Sequence, residues 1–105
     1  MVKINPAVKK CKEVLKDHYG RKFQGLILYG STARQQSSRG SDIDLLVLLK
    51  KPFSHFKEMR RITDLLYPCQ LDSQRLISAK PAAADEFQKG TIQLYRNAKQ
   101  DGISL

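Results

Sequence analysis

Two acidic side chains stand two positions apart where a polar loop meets an apolar run. Asp42 and Asp44 flank Ile43 at the start of that run, which continues to Leu49. Because alternate side chains of a β-strand point to the same side, the two carboxylates face one way, about 7 Å apart along the backbone. Magnesium is commonly bound through one or two carboxylates, while substrate phosphates complete its ligand shell. The pair is therefore a candidate magnesium site.

Ten residues separate this acidic pair from a glycine and a serine. Gly30 and Ser31 directly follow an apolar segment and are expected to open a helical turn. Glycine lets a phosphate approach the backbone, and the free N–H groups of a turn can bind its oxygens together with the Ser31 hydroxyl. Arg34 would lie on the same side and neutralise phosphate charge. Ser41, directly before Asp42, is a further candidate for nucleotide binding.

Each of these features is common when it occurs alone. A Gly-Ser pair is usually only a turn, and an isolated acidic pair is more often the solvated start of a strand. The sequence contains neither GxxxxGK[ST] nor GxGxxG, so the P-loop and dinucleotide-fold routes to phosphate binding are absent. The combination and its spacing favour a joint phosphate and metal site.

The elements that must position these residues follow from apolar periodicity and from cap, proline and glycine signals. The first half of the chain predicts a helix from Asn5 to Gly20, followed by strands from Phe23 to Tyr29 and from Ile43 to Leu49. The next predicted helix is introduced by Pro52 and Ser54 and ends before Tyr67, and a third strand follows at residues 70–78. The chain then predicts a short helix after Pro81 and a last helix that ends at Gly102 before an extended tail. This order predicts an α/β or α+β fold, with helices packed on a small sheet. The first two strands should be neighbours, either parallel or antiparallel.

Length and composition restrict the class of protein. A chain of 105 residues predicts a single domain, residues 1–105, with a modest core. The longest apolar stretch, Leu45 to Leu49, is too short for a membrane helix, and the N-terminus lacks a secretory apolar region, so we expect a cytoplasmic protein with no membrane partner. The two cysteines have no metal-ligand spacing. A formal charge of +9 attracts polyanions, although a solvated basic surface explains it equally well.

The segment GSTARQQSSRGSDIDLLVLL, residues 30–49, resembles the signature of the minimal nucleotidyltransferases of the DNA polymerase beta superfamily, in which GS, ten residues and DxD define the site. The closing DEFQKGTIQLYRNAKQDGISL is similar to the ending of the stand-alone members, so the likeness spans nearly all of the chain. The resemblance implies a small mixed β-sheet with helices mainly on one face. It further implies that Gly30 and Ser31 hold a nucleoside triphosphate, while Asp42 and Asp44 hold two magnesium ions.

Full members of that superfamily add a third carboxylate on a later strand, which orients or deprotonates the acceptor hydroxyl. The candidate in this chain is Asp72, in QLDSQRL. The alternative for Asp72 is a solvated acid at the start of a strand. If Asp72 is this third carboxylate, it is expected to be catalytic and to point towards Asp42 and Asp44. If it faces away from them, a binding protein is favoured over an enzyme.

The resemblance implies transfer of AMP from ATP to a hydroxyl. Relatives of this size are often antitoxins, and the implied acceptor is a separate HEPN-type toxin, modified on tyrosine. The main alternative is a module that binds nucleotide or toxin with little or no catalysis. Transfer to an antibiotic or another small molecule usually needs a further domain. Direct nucleic-acid binding is the least favoured reading, and the sequence leaves homo-oligomerisation open.

Overall fold

The computed structural model describes residues 6–30 and 42–105 of the chain. The described parts form four α-helices and four strands, and a short 3-10 turn, Gly20–Lys22, joins the first helix to the first strand. In chain order the elements are α1 (Pro6–Tyr19), β1 (Phe23–Tyr29), β2 (Ile43–Leu49), α2 (His55–Leu71), β3 (Ile77–Ala83), α3 (Ala84–Lys89), α4 (Gln93–Asp101) and β4 (Ile103–Ser104).

The strands form one mixed sheet in the order β3-β2-β1-β4. β1 pairs with β2 and with β4 in antiparallel orientation. β2 and β3 are parallel, because α2 carries the chain back to the starting end of the sheet before β3 begins. The predicted neighbourhood of the first two strands is therefore confirmed, and their pairing is antiparallel. The mixed α/β architecture confirms the predicted fold class.

The two long helices seal one face of the sheet, which we call the first face. Ile43, Leu45 and Val47 of β2 point to this face and are almost completely buried. Alternation along the strand brings every second side chain to the same side. The helical side of this core is made by buried residues of α1 and α2: Val8, Cys11, Leu15, Ile62, Leu66 and Cys69. This layer is the helical cover that the resemblance implies.

The short helices α3 and α4 cover part of the opposite face, which we call the second face. Leu46 and Leu48 of β2 pack there against Phe87 of α3 and Tyr95 of α4. The Phe87 and Tyr95 rings meet edge to face, with 6.2 Å between their centroids. The cover stops near the start of β2, since Leu46 is only 1% exposed whereas the next second-face residue, Asp44, is half-buried. One end of the second face is therefore open.

The second helix and the third strand differ from the sequence-based expectation. α2 does not end before Tyr67; it continues to Leu71 and includes Pro68. Burial of Leu66 and Cys69 in the first-face core offsets the hydrogen bond that a proline removes from a helix. As a consequence the third strand begins at Ile77 instead of residue 70. Its proline, Pro81, is compatible with an edge strand, which has one unpaired side.

The remaining helix boundaries follow local signals in the sequence. Ser54 caps α2 by accepting a hydrogen bond from the backbone N–H of Lys57, at 3.3 Å. α3 ends at Gly90, whose φ of 67° lies in the left-handed region that glycine adopts readily. α4 ends before Gly102, as predicted, and two residues of the tail pair with β1 as β4. None of the helices in the described ranges is long and apolar enough to cross a membrane.

Candidate active site

Three side chains lie in one row across the open end of the second face. Asp44 of β2 pairs with Tyr29 of β1 on one side and with Ser78 of β3 on the other. Paired residues on neighbouring strands point to the same face, with the strands roughly 4.8 Å apart. Tyr29, Asp44 and Ser78 are all half-buried, so a molecule that approaches this end of the sheet can reach each of them.

Asp44 is held in an environment that disfavours its negative charge. Burial raises the pKa of its carboxyl, and the nearby Asp42 carboxylate raises that pKa further, while the Lys80 ammonium lowers it. The phenol of Tyr29 also has a raised pKa, first because of burial and then because of the Asp44 charge. Both pKa values are raised for the same two reasons, namely burial and a neighbouring carboxylate. The open end of the second face therefore disfavours negative charge on either side chain.

Gly30 fits directly against Asp44. A Cβ atom added to Gly30 would lie 2.6 Å from the Asp44 carboxylate oxygen Oδ2, which is closer than such atoms approach. Its φ of 80° is also in the region that favours glycine. The predicted proximity of Gly30 to the acidic pair is therefore present in the structure, and any larger residue at position 30 would displace the carboxylate.

Asp42 directly precedes β2 and is exposed. Its effect on the pKa of Asp44 places the two charges within electrostatic reach of each other. The start of β2 is fixed at this point, because the backbone N–H of Ile43 donates a 2.8 Å hydrogen bond to the Leu76 carbonyl. The structure thus brings together three of the residues that the sequence singled out, namely Gly30, Asp42 and Asp44.

The donor chemistry of this group fits a divalent cation. Two carboxylates at the end of a strand repel each other, and a hard cation with oxygen ligands would relieve the cost that the raised pKa of Asp44 reflects. Within residues 6–30 and 42–105, no cluster of three or more His, Cys, Asp or Glu side chains could hold a metal by itself. A metal at Asp42 and Asp44 would therefore take further ligands from water or from substrate phosphates.

Asp72 is not brought to this group. It caps the C-terminal end of α2, is largely exposed, and forms an ion pair with Lys10 of α1, with Nζ and Oδ2 2.9 Å apart. Both partners belong to the helical layer on the first face, whereas Asp44 points to the second face. The expectation that Asp72 begins a strand is wrong, because α2 is longer than its proline suggested. Its position gives no support to a catalytic role.

The other nucleotide-binding candidates, Ser31, Arg34 and Ser41, lie outside the described residues. Conversely, sequence reasoning missed Tyr29, Ser78 and the neighbouring Lys80. Tyr29 carries a weak signal, since it directly precedes the Gly-Ser pair at the end of a strand. Ser78 and Lys80 carry none, because only the register between β2 and β3 places them beside Asp44.

Comparison with known families shows to which family the chain belongs. The model for "Polymerase beta, Nucleotidyltransferase" matches residues 9–100. The chain belongs to the polymerase beta nucleotidyltransferase family. The predicted resemblance is thereby confirmed, and the mixed sheet is this chain's version of the family domain. No curated protein matches the chain.

Two solved structures share the fold of this nucleotidyltransferase domain. A toxin–antitoxin structure with AMP-PNP gives a TM-score of 0.56 at 20% sequence identity, covering 91% of this chain and 69% of that chain. A candidate nucleotidyltransferase from Sulfolobus solfataricus gives a TM-score of 0.54 at 18% identity, covering 99% of this chain and 89% of the other. At these identities the likeness concerns the fold alone.

Proposed function

We propose that this domain is a magnesium-dependent nucleotidyltransferase that transfers AMP from ATP to a hydroxyl group. The observation that carries the proposal is the close fit of Gly30 against Asp44, with Asp42 within electrostatic reach. Family membership supplies the reaction class, and the AMP-PNP in the toxin–antitoxin neighbour makes ATP the preferred donor in this proposal. Magnesium follows from the carboxylate donors and the phosphates of the substrate.

In the proposed reaction the acceptor oxygen loses its proton to water and bonds to the α-phosphorus of ATP. The bond between that phosphorus and the β-phosphate oxygen breaks, and pyrophosphate leaves. Asp42 and Asp44 would hold two magnesium ions, which when bound offset the charge of the reacting phosphates. Gly30 keeps the space beside the Asp44 carboxylate free of a side chain, so that a phosphate can approach the backbone. The first-face core fixes the direction of β2 and hence of both carboxylates.

The proposed acceptor is a protein, a HEPN-type toxin, and this domain would act as its antitoxin. The support is the toxin–antitoxin neighbour together with the surface of α2. Phe56, Tyr67 and Leu71 project from one side of that helix and are between 61% and 73% exposed. Their spacing of 11 and 4 residues corresponds to one helical stripe. Such a stripe offers apolar surface that a protein partner would cover in the proposed complex.

Labelled ATP tests the proposal. The protein is incubated with magnesium, ATP labelled at the α-phosphate, and either cell lysate or a co-purified partner, and label on protein is measured. We expect labelling by the wild type and its loss in Asp42→Asn and Asp44→Asn, with folding intact. Asp17→Asn removes the same charge from an exposed position on α1, away from the proposed partner surface of α2, and should label normally. Labelling that persists in both site variants would rule out the metal site.

A second candidate function is a module that binds nucleotide or toxin with little or no turnover. It is favoured by one observation: β3, the strand beside Asp44, presents Ser78 and Lys80 to the second face, and Asp72 is paired elsewhere. β3, Ile77–Ala83, therefore contributes no third carboxylate beside Asp44. This candidate predicts that the wild type binds Mg·ATP but transfers no label, and that Ser78→Asp increases transfer by placing a carboxylate beside Asp44.

A further inference from the structure

Lys80 lies on the second face, one row from Asp44 towards the covered end. It pairs with Leu46 of β2, while Ser78 pairs with Asp44. Lys80 is two residues from Ser78 along β3, or roughly 7 Å, and β2 lies roughly 5 Å to the side of β3. A lysine side chain can span these distances. Leu46 and Ala82 around it are buried, yet Lys80 itself is exposed. Its exposed side chain is therefore within reach of the open part of the face.

Lys80 lies on the same face of the sheet as the acidic side chain of Asp44. In the register of β2 and β3, Asp44 pairs with Ser78 and Leu46 pairs with Lys80, so the two charged residues are diagonal neighbours. No ion pair within the described ranges ties Lys80 to one carboxylate at contact distance. Lys80 is thus within side-chain reach of the Asp44 position and is still able to bind another anion.

The proposed complex of ATP and two magnesium ions would leave an excess of negative charge at this place. ATP has about four negative charges at neutral pH and the acidic pair has two more, whereas the two ions bring four positive charges. We propose that Lys80 is a further substrate-binding residue, whose ammonium contacts the polyphosphate of the nucleotide held at Gly30 and Asp44. This inference rests on the proposed function, because it assumes that the acidic pair binds a metal–nucleotide complex.

A different role for Lys80 follows from its strand. β3 is an edge of the sheet, and lysines on edge strands discourage pairing with another chain. In that role, removal of Lys80 would promote self-association and leave nucleotide binding unchanged. A substrate-binding role predicts the reverse.

The test is calorimetric titration of the folded protein with Mg·ATP and, separately, with Mn²⁺ alone. Lys80→Ala should weaken Mg·ATP binding about tenfold, the loss expected for one charge-assisted contact. The same variant should bind Mn²⁺ alone as tightly as the wild type or more tightly, because a competing cation is removed. Lys80→Arg should recover most of the Mg·ATP affinity.

Lys50→Ala is the matched control. Lys50 is also exposed and follows β2 at its far end, six residues from Asp44 and roughly 20 Å away along the strand. Salt screens charges at that distance, so its loss should change Mg·ATP affinity by less than about twofold.

The outcomes separate the inference from the proposed function. Equal losses in Lys80→Ala and Lys50→Ala would overturn the inference, since the effect would then be one of overall charge. Unchanged Mg·ATP binding in Lys80→Ala would also overturn it, with self-association pointing to edge protection. If the wild type binds no Mg·ATP, the proposed function fails and the inference fails with it.

Discussion

The two faces of β2 provide different environments for alternate residues of one strand. Ile43, Leu45 and Val47 enter the first face, where two long helices exclude water along the whole strand. On the second face, cover from two short helices reaches Leu46 and stops before Asp44. The strand is therefore sealed on one side over its full length and open on the other side only at its start.

This difference explains how an inner strand can carry a carboxylate. Asp44 is placed at the single second-face position of β2 that the helices leave partly exposed. Its raised pKa indicates that even this position disfavours the charge, and that cost is what a bound cation would relieve. The sealed face holds the strand in place, and the open end supplies the chemistry.

Truncation of the sealed core should have the largest effect on stability. Leu45→Ala is expected to lower the free energy of unfolding by about 4 kcal/mol, because Leu45 is completely buried under α1 and α2. Leu48→Ala on the second face should cost less, about 2–3 kcal/mol, because the shorter helices there can adjust to the lost volume. Chemical denaturation of both variants measures the difference. Equal losses would contradict the comparison between the faces.

Substitution of Gly30 should have the next largest effect. Gly30→Ala is expected to cost about 1–3 kcal/mol through its positive φ, and the collision of its Cβ with Asp44 should also abolish nucleotide binding. Gly20→Ala is the control, since Gly20 has a φ of 55° and open space around its would-be Cβ. The control should show backbone strain alone. Normal Mg·ATP binding by Gly30→Ala would show that Gly30 and Asp44 are not coupled.

The cysteines test how well the first face is sealed. Burial, and then the neighbouring Cys69, raise the pKa of the Cys11 thiol to about 12. We expect both thiols to react with a thiol reagent at pH 8 at least about 100-fold more slowly than in guanidinium chloride, since only unfolding exposes them. A cysteine introduced by Thr63→Cys on the exposed side of α2 should react rapidly. Fast reaction of the native thiols would contradict a sealed face.

The same thiol gives the protein a pH dependence. Its folded-state pKa lies above the ordinary value of 9.0, so the folded protein holds this proton more tightly than the unfolded chain does. Stability should therefore fall as pH rises from about 9 towards 12. Cys11→Ser should show a weaker decline over this range in thermal melts, although other groups that titrate there contribute to both proteins.

The ion pair between Lys10 and Asp72 should have the smallest effect. Both side chains are at least half exposed, and exposed pairs of this kind contribute little to stability. Asp72→Asn is expected to leave the melting temperature and Mg·ATP binding unchanged. A loss of Mg·ATP binding or of label transfer in this variant would restore Asp72 to the site.

Local patterns in the sequence were sufficient for much of the fold. Apolar periodicity located α1, β1 and β2, and the spacing of Gly30, Asp42 and Asp44 identified residues that the structure brings together. The segment Ile77–Ala83 has few residues that favour strands; it becomes one by pairing with β2. That pairing depends on long-range packing, so neither its register nor the approach of Lys80 to Asp44 could be predicted locally.

Nucleotide binding through metal at Asp42 and Asp44 is tested most directly by calorimetric titration of Mg·ATP into the wild type, Asp42→Asn and Asp44→Asn, with Asp64→Asn as the charge-matched control. We expect binding by the wild type and the control, and at least about 100-fold weaker binding by both site variants, since each loses a charged metal ligand. In metal-free buffer, Asp44→Asn should be at least as stable as the wild type, because a disfavoured charge is removed. Undiminished Mg·ATP binding by the two folded site variants would contradict the account.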